Sequence, residues 1–187
     1  MGGSARTDRR WRKGELAGLF LTLIFGNLLH FVYDWSGQNS VVAAFAAVNE
    51  STWEHMKLLA MPWVIWSLVE AVALRSSRQS VLMARALGLL VGLVTIPTVY
   101  YTYTGALGVS SMIVDVVLFQ AAVLLGALVS WRVLAKNKLT GPIWGAVGLL
   151  LLLGVAALFV WWTYAPPVLP LFIDPTNGTV GLPAIGM

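Results

Sequence analysis

Cysteine is absent from the 187-residue chain, and charged residues make up only 11% of it. Without cysteine, a disulfide, a thiolate metal ligand and a cysteine nucleophile are all excluded. The share of charged residues is far below the roughly one quarter that soluble domains carry. Hydrophobic residues instead make up 58% of the chain, and the mean hydropathy is +0.80. These values predict an all-α integral membrane protein whose surroundings are the lipid bilayer.

Five apolar segments are long enough to cross a bilayer, because a helix needs about 20 residues to span the hydrocarbon core. These five spans cover residues 16–35, 52–74, 81–103, 107–134 and 142–164. Residues 41–48 are also apolar but too short to cross, which predicts a short re-entrant or interfacial helix between spans one and two. The chain therefore divides into a basic cytoplasmic amino terminus at 1–15, a five-helix transmembrane domain at 16–164 and a proline-rich extracytoplasmic tail at 165–187.

The positions of the basic residues predict the orientation. A formal net charge of +4 is compatible with nucleic-acid binding, but eleven of the twelve Lys and Arg residues lie before span one, around residues 75–85 or around residues 132–138. In a chain with five spans these three places are on the same side of the membrane, and basic loops are cytoplasmic. We therefore expect no nucleic-acid partner, the amino terminus inside and the carboxyl terminus outside.

The most polar stretch of the chain covers residues 49–57 and reads Asn-Glu-Ser-Thr-Trp-Glu-His-Met-Lys. Ser51 and Glu54 within it have the spacing of a capping box, in which each side chain accepts a backbone N–H bond from the other residue. Span two is therefore expected to begin at Thr52. Because polar groups are costly beside lipid, such a stretch marks a protected site or an unusual start of a helix.

Polar residues of spans one, two and four are expected to meet in the outer part of the membrane. Asn27, His30 and Asp34 share one face of span one, because their offsets are three and seven residues. Asp115 is predicted to lie about two turns inside span four. Several ionisable groups at one depth indicate an outward-facing, water-accessible cavity. The candidate binding residues are His30, Asp34, Asn49, Glu50, Glu54, His55, Lys57 and Asp115.

Helical geometry limits which residues of the polar stretch act together. Successive residues turn by about 100°, so His55 and Lys57 point in nearly opposite directions. Glu54 lies between them and is compatible with either partner. The site is therefore predicted to use Glu54 with His55, or to have Glu54 paired with Lys57, which would then serve as a supporting contact.

The two histidines and the nearby carboxylates suit a divalent metal such as zinc. The candidate metal ligands are His30, His55, Glu54 and Asp115, with Asp34 as a further carboxylate. A metal-free acid and base pair is equally compatible with these residues. So is a structural role, in which the histidines bond carboxylates or carbonyls and the acidic residues favour the positive end of the span-two dipole.

Three functions fit this pattern. In the first, the cavity binds or transports a small polar solute or cation, for which a homodimer is expected because five spans give no simple inverted repeat. In the second, it is the site of a hydrolase or transferase acting on a lipid-linked substrate, with Glu54, His55 and Asp115 as catalytic residues. In the third, the protein is a non-catalytic assembly partner and the polar residues only stabilise the outer loop.

The stretch from Asn49 to Lys57 also resembles the Asn-Glu-Ser-x-Trp-Glu-His-x-Lys signature of a family of small bacterial multi-pass membrane proteins that lacks an assigned function. His30, the Asp-Trp-Ser-Gly turn at residues 34–37 and the Leu-Phe-Ile-Asp-Pro segment at residues 171–175 are similar in kind. The resemblance implies a multi-pass protein of the bacterial cytoplasmic membrane and implies no particular activity.

Overall fold

The computed structural model describes the backbone of residues 2–74 and 78–182, and the side chains within these ranges except those of residues 2–9 and 78. This part of the chain is all-helical, and its only β pairing is an isolated antiparallel bridge between Ile173 and Val180. The helices are α1 (Gly2–Trp35), α2 (Ser40–Ala43), α3 (Thr52–Ala73), α4 (Arg78–Leu107), α5 (Met112–Lys136) and α6 (Pro142–Tyr164), followed by a 3₁₀ turn at Pro170–Phe172.

Five of the helices, α1 and α3 to α6, are long and apolar enough to cross a membrane. The predicted number of spans is therefore confirmed. The bundle also exposes many large apolar side chains, among them Phe20, Ile24, Ile113 and Leu150, as expected for surfaces that face lipid. We call the end of the bundle where α1 ends and α3 begins the site end, and the other the opposite end.

The starts of helices α1 and α5 differ most from those of the predicted spans. Helix α1 begins at Gly2, so residues 2–15 continue the first span as helix. Helix α5 begins at Met112, five residues later than predicted, because Gly108 adopts a positive φ of 71° and Ser111 is the extended residue before the helix. The later start moves Asp115 from a predicted depth of two turns to the first turn of α5.

The segment between α1 and α3, residues 36–51, forms a compact hook over the site end. Its helical part is a single turn, Ser40–Ala43. This turn is shorter than the re-entrant or interfacial helix predicted at residues 41–48. The Asn39 side-chain oxygen caps the start of this turn by accepting hydrogen bonds from the N–H groups of Val41 at 2.9 Å and Val42 at 3.4 Å. The hook then packs its buried alanines Ala43 and Ala46 beside Tyr33 of α1 and Val48 of the hook.

A buried ion pair in the first turns of α3 holds the hook in place. The Lys57 ammonium is 2.5 Å from a Glu54 carboxylate oxygen, and the Lys57 side chain is 0% exposed. Lys57 also donates to the Ala43 carbonyl and to the Thr163 hydroxyl of α6, each at 2.8 Å. The same Glu54 oxygen accepts the Val48 N–H at 3.0 Å. One pair thus connects the hook, α3 and α6.

The start of α3 agrees in part with the predicted capping box. Helix α3 begins at Thr52, and the Ser51 hydroxyl accepts the Glu54 N–H at 3.4 Å. The reciprocal bond is replaced, because the Ser51 N–H donates to the Asn49 side chain at 2.9 Å while the Glu54 carboxylate faces Val48 and Lys57. The Glu54 side chain therefore stabilises the hook instead of its own helix start.

Small residues allow the remaining helices to approach closely. A Cβ on Gly88 of α4 would lie 2.5 Å from the Gly126 carbonyl oxygen of α5, and a Cβ on Gly148 of α6 would lie 2.5 Å from the α4 backbone at Met83. Helices α4, α5 and α6 thus pack backbone against backbone, as small residues permit in membranes.

A second buried ionic cluster lies toward the opposite end. Arg85 of α4 contacts Glu70 of α3 at 2.6 Å and Glu15 of α1 at 3.2 Å, and all three residues are buried. Ser130 of α5 donates to Glu15 at 2.9 Å. Arg85 is therefore an interior residue that joins three helices, and Ser130 adds a fourth helix to the cluster, although the place of Arg85 in the sequence suggested a cytoplasmic loop charge.

The Glu54–Lys57 pair makes a testable prediction about stability. In Lys57→Met the buried Glu54 carboxylate loses its counter-charge, so we expect the free energy of unfolding to fall by about 3–5 kcal/mol. In Glu54→Gln/Lys57→Met no charge remains to be buried unpaired, and most of the loss should be recovered. Denaturant unfolding in detergent micelles measures both values. A double variant no more stable than Lys57→Met would contradict this account.

Candidate metal and ligand cavity

A cavity of about 500 Å³ opens at the site end. Its walls come from α1, the hook, the first turns of α3, the last turns of α4, the first turns of α5 and the tail. Polar side chains and apolar side chains both line it, and the ionisable ones are His30, Glu50, His55, Tyr100 and Asp115. The volume is within the range of small-molecule sites.

Three side chains from three different segments converge in this cavity. Glu50 of the hook lies between His30 of α1 and His55 of α3, with its Oε1 3.6 Å from His30 Nε2 and its Oε2 3.5 Å from His55 Nε2. The two imidazole rings are 5.3 Å apart between centroids. Within the described part of the chain, this is the one group of three His, Asp or Glu residues whose ligand atoms lie within 4.8 Å of one another.

A backbone contact orients one of the two histidines. His55 Nδ1 lies 3.0 Å from the Ser51 carbonyl oxygen, one turn earlier at the start of α3. Because the carbonyl only accepts, Nδ1 carries a proton, and Nε2 is the ring nitrogen that faces Glu50. Histidines that bind a metal through one ring nitrogen usually donate the N–H of the other nitrogen to a carbonyl or carboxylate.

Asp115 lines the same cavity from α5. It accepts a short hydrogen bond from the Tyr103 hydroxyl of α4, and that hydroxyl also accepts the Ser111 N–H at 3.3 Å. No lysine or arginine lies between residues 85 and 132, and a tyrosine from the neighbouring helix supplies the hydrogen bond to Asp115. Asp115 is therefore a polar wall group held at the start of α5.

The other predicted site residues lie outside the cavity lining. Glu54 and Lys57 face each other in the buried pair. Asp34 is exposed at the end of α1. The Asn49 side chain belongs to the loop framework, because it donates to the Gly181 carbonyl at 2.8 Å and accepts the Ser51 N–H. The structure thus brings together His30, Glu50, His55 and Asp115 of the eight candidates.

The tail covers the site and holds the backbone of Glu50. Asp174 is buried, and its carboxylate accepts the Glu50 N–H at 3.0 Å and the Thr176 N–H at 2.8 Å. The Thr176 hydroxyl donates to the same carboxylate at 2.6 Å, and Pro175 and Thr176 form part of the cavity wall. Burial alone would raise the pKa of Asp174, but these hydrogen bonds outweigh it and hold the pKa below its ordinary 3.8.

Aromatic packing fixes the tail from the other side. Trp53 of α3 stacks on Phe159 of α6 at 4.2 Å between ring centroids and lies 4.8 Å from Phe172 of the 3₁₀ turn. Trp162 of α6 meets Phe172 edge to face at 5.5 Å. The tail is thereby a fixed part of the site.

Four contributors to the site were not among the sequence candidates. They are Tyr100, Tyr103, Thr176 and Asp174. Tyrosines near the end of a span are typical of an interfacial aromatic belt, so their positions alone do not mark a site. A signal was present for Asp174, because an aspartate before proline in a tail with aromatic residues is typical of a turn held by its own side chain.

Asp174 makes a pH-dependent contribution that can be measured. Asp174→Asn replaces one acceptor oxygen by an NH₂ group, so we expect the tail to dock about 1.5–3 kcal/mol less tightly at neutral pH. Because the folded-state pKa lies below the ordinary 3.8, the advantage of the native chain is complete above pH 3.8 and disappears as the pH falls through the lower value. Hydrogen exchange at the Glu50 amide follows the docking, with exposed Asp34→Asn as the control. Equal protection in native chain and Asp174→Asn at pH 7 would contradict this role.

The chain was compared with known proteins. The model of the DUF6512 family, described as a family of unknown function, matches residues 4–182. No curated protein and no solved structure matches the chain. The expectation of an uncharacterised family is confirmed, while the particular signature at residues 49–57 stays a prediction. The match covers nearly the whole chain, and the protein therefore belongs to the DUF6512 family of unknown function.

Proposed function

We propose that this membrane protein binds a divalent cation of the zinc class in its site-end cavity, through His30, Glu50 and His55. The observation that carries the proposal is the convergence of these three side chains from α1, the hook and α3. Two imidazoles and one carboxylate are a ligand set that zinc takes in proteins, with a fourth position left for water or substrate.

The spacing of the ligand atoms supports coordination over direct pairing. Four ligands at about 2.0–2.2 Å from zinc lie about 3.3–3.6 Å from one another at tetrahedral angles. The Glu50 oxygens are 3.6 Å from His30 Nε2 and 3.5 Å from His55 Nε2. Hydrogen bonds between a carboxylate and a nitrogen are shorter, at about 2.7–2.9 Å. Both carboxylate–imidazole spacings therefore match those of zinc ligands, and one ligand atom from each of the three residues lies within 4.8 Å of the other two.

The ligand set differs from the one expected from sequence in its carboxylate. Glu50 takes the place that was given to Glu54 and Asp115, because Glu54 is paired with Lys57 and Asp115 with Tyr103. Asp115 remains in the cavity wall, where it is available to hold a metal-bound water or a polar group of a ligand.

The proposed topology has the amino terminus inside and the carboxyl terminus outside, which makes the cavity outward-facing. It is supported by the basic residues, since Arg10, Arg12 and Lys13 of α1 and Arg132 and Lys136 of α5 lie toward the opposite end. Together with the resemblance of residues 49–57 to a bacterial signature, this orientation supports a location in the cytoplasmic membrane. The cation would then reach the cavity from the extracytoplasmic side.

A second candidate function is a metal-dependent hydrolase or transferase. It is favoured by one observation, the wall group Asp115 with its Tyr103 partner in the same cavity as the three ligands. A carboxylate in that place suits a general base, which makes Asp115 a better candidate than Glu54 for this role. Transport, dimerisation and a role as an assembly partner stay predictions.

Metal content tests the proposal. Purified chain exposed to zinc and then desalted should retain about one zinc ion, measured by plasma mass spectrometry. We expect His30→Ala, Glu50→Gln and His55→Ala each to weaken zinc binding by at least about tenfold, because each removes a ligand. Asp115→Asn should keep its zinc, because Asp115 is assigned to the wall and not to the metal.

Asp34→Asn is the matched control, because it removes a carboxylate one turn beyond His30 that lies outside the cavity lining. It should bind zinc as the native chain does. Failure of the folded native chain to bind zinc at micromolar concentrations would overturn the proposal. So would full zinc retention by the His30→Ala/His55→Ala double variant.

A further inference from the structure

The cavity has an opening toward the bilayer as well as a polar end. Phe31 of α1 and Met112 and Val116 of α5 line the cavity, and they are also 50%, 82% and 45% exposed on the bundle surface. A side chain that lines a cavity and is exposed on a lipid-facing helix lies at a mouth of that cavity. The mouth is therefore between α1 and α5.

Helices α1 and α5 close together farther from the site end. Gln120 of α5 donates to the Asn27 side chain of α1 at 3.2 Å, and the Phe119 ring packs so closely on Gly26 that a Cβ there would lie 2.5 Å from it. Both contacts lie about 12 Å from the helix ends, since Asn27 is eight residues before Trp35 and Gln120 eight residues after Met112. These two contacts therefore form one boundary of the mouth, which is open from there to the site end.

The lining changes character along this path. His30, Glu50 and His55 form the polar part, whereas Phe31, Val116 and Phe119 form apolar surface beside the mouth. A ligand that contacts both parts has a polar head and an apolar chain. A purely polar solute would leave the apolar surface uncovered, and an apolar one would leave the ligand atoms without a partner.

Formal charge distinguishes between possible head groups. No lysine or arginine is among the described residues that line the cavity, while Glu50 and Asp115 are. With neutral histidines, these two carboxylates balance one divalent cation. A phosphate head would bring negative charge that no described wall residue offsets. Hydroxyl and carbonyl groups can bind the open metal position and the hydroxyls of Tyr100 and Ser110 without adding charge to the cavity.

We infer that the ligand of this cavity is an amphiphile with an uncharged head bearing hydroxyl and carbonyl groups, which enters from the bilayer between α1 and α5. The head lies at the His30, Glu50 and His55 cluster and the acyl chain leaves through the mouth beside Val116. This inference rests on the proposed metal for the contact of the head, and on the mouth for the contact of the chain.

Three probes separate head, chain and charge. Monoolein has an uncharged glycerol ester head and one acyl chain, lysophosphatidate has a similar chain with a phosphate head, and glycerol has no chain. Native mass spectrometry of zinc-loaded protein released from detergent micelles measures the binding of each. We expect monoolein to bind at least about tenfold more tightly than lysophosphatidate, because of the unbalanced charge, and glycerol not to bind detectably.

Neighbouring valines on α5 provide a matched pair of variants. Val116 lines the mouth, whereas Val117 is 61% exposed and lies outside the cavity lining. Val116→Trp should block the mouth with its larger side chain and weaken monoolein binding by about tenfold, while zinc content and melting temperature stay as in the native chain because residue 116 is half exposed. Val117→Trp should leave monoolein binding, zinc content and melting temperature unchanged.

Several outcomes would overturn the inference. Equal loss of monoolein in both valine variants would place the amphiphile on the general surface, and tighter binding of lysophosphatidate would show a head of the wrong charge. Monoolein binding that is unaffected by removing zinc with a chelator would refute the contact of head and metal. Zinc content is measured separately, so a protein that binds zinc but not monoolein refutes only this inference, and one that binds no zinc refutes the proposed function.

Discussion

The buried pair of Glu54 and Lys57 is the interaction on which the site end depends. Charges inside a membrane protein are costly, and this pair offsets the cost with hydrogen bonds to three other groups: the Ala43 carbonyl, the Val48 N–H and the Thr163 hydroxyl. Two of these are in the hook. Since the hook continues into Glu50, the same pair determines where that carboxylate lies relative to His30 and His55. The pair thus positions a ligand of the site without contacting the ligands itself.

The rest of the site follows from this arrangement. The hook brings Glu50 over the bundle, the Asp174 carboxylate of the tail binds its backbone N–H, and Ser51 at the start of α3 orients His55. Glu50 is therefore supported from the tail, and His55 by the residue just before its own helix. Arg85 plays the corresponding role toward the opposite end, where it joins Glu15 and Glu70. Two buried ionic clusters, one in each half of the bundle, fix how the five spans pack.

The helices could be predicted from the sequence because the bilayer imposes a length and an apolar composition on each of them. Helix α6 agrees at both ends with the predicted span, and α3 begins where its cap was expected. The start of α5 was missed, because residues 107–111 contain no charged residue or proline to end the span, while the backbone turns at Gly108.

The site was only partly accessible to sequence reasoning. His30 and His55 stood out as the two histidines, but the choice of carboxylate depended on which neighbour Glu54 pairs with, and helical angles left Lys57 and His55 both open. Glu50 precedes the helix, so its direction is set by the hook and the tail, which no periodicity describes. Arg85 was misplaced for a similar reason, since its partners Glu15 and Glu70 are distant in sequence.

The central claim is that one metal ion is held jointly by α1, the hook and α3. X-ray absorption spectroscopy of the zinc-loaded protein tests it most directly, because the fine structure reports the ligand types and distances around the metal. The account predicts two imidazole nitrogens and oxygen ligands at about 2.0–2.2 Å, with one imidazole lost in His55→Ala. A shell of oxygens alone, or one unchanged in His55→Ala, would contradict it.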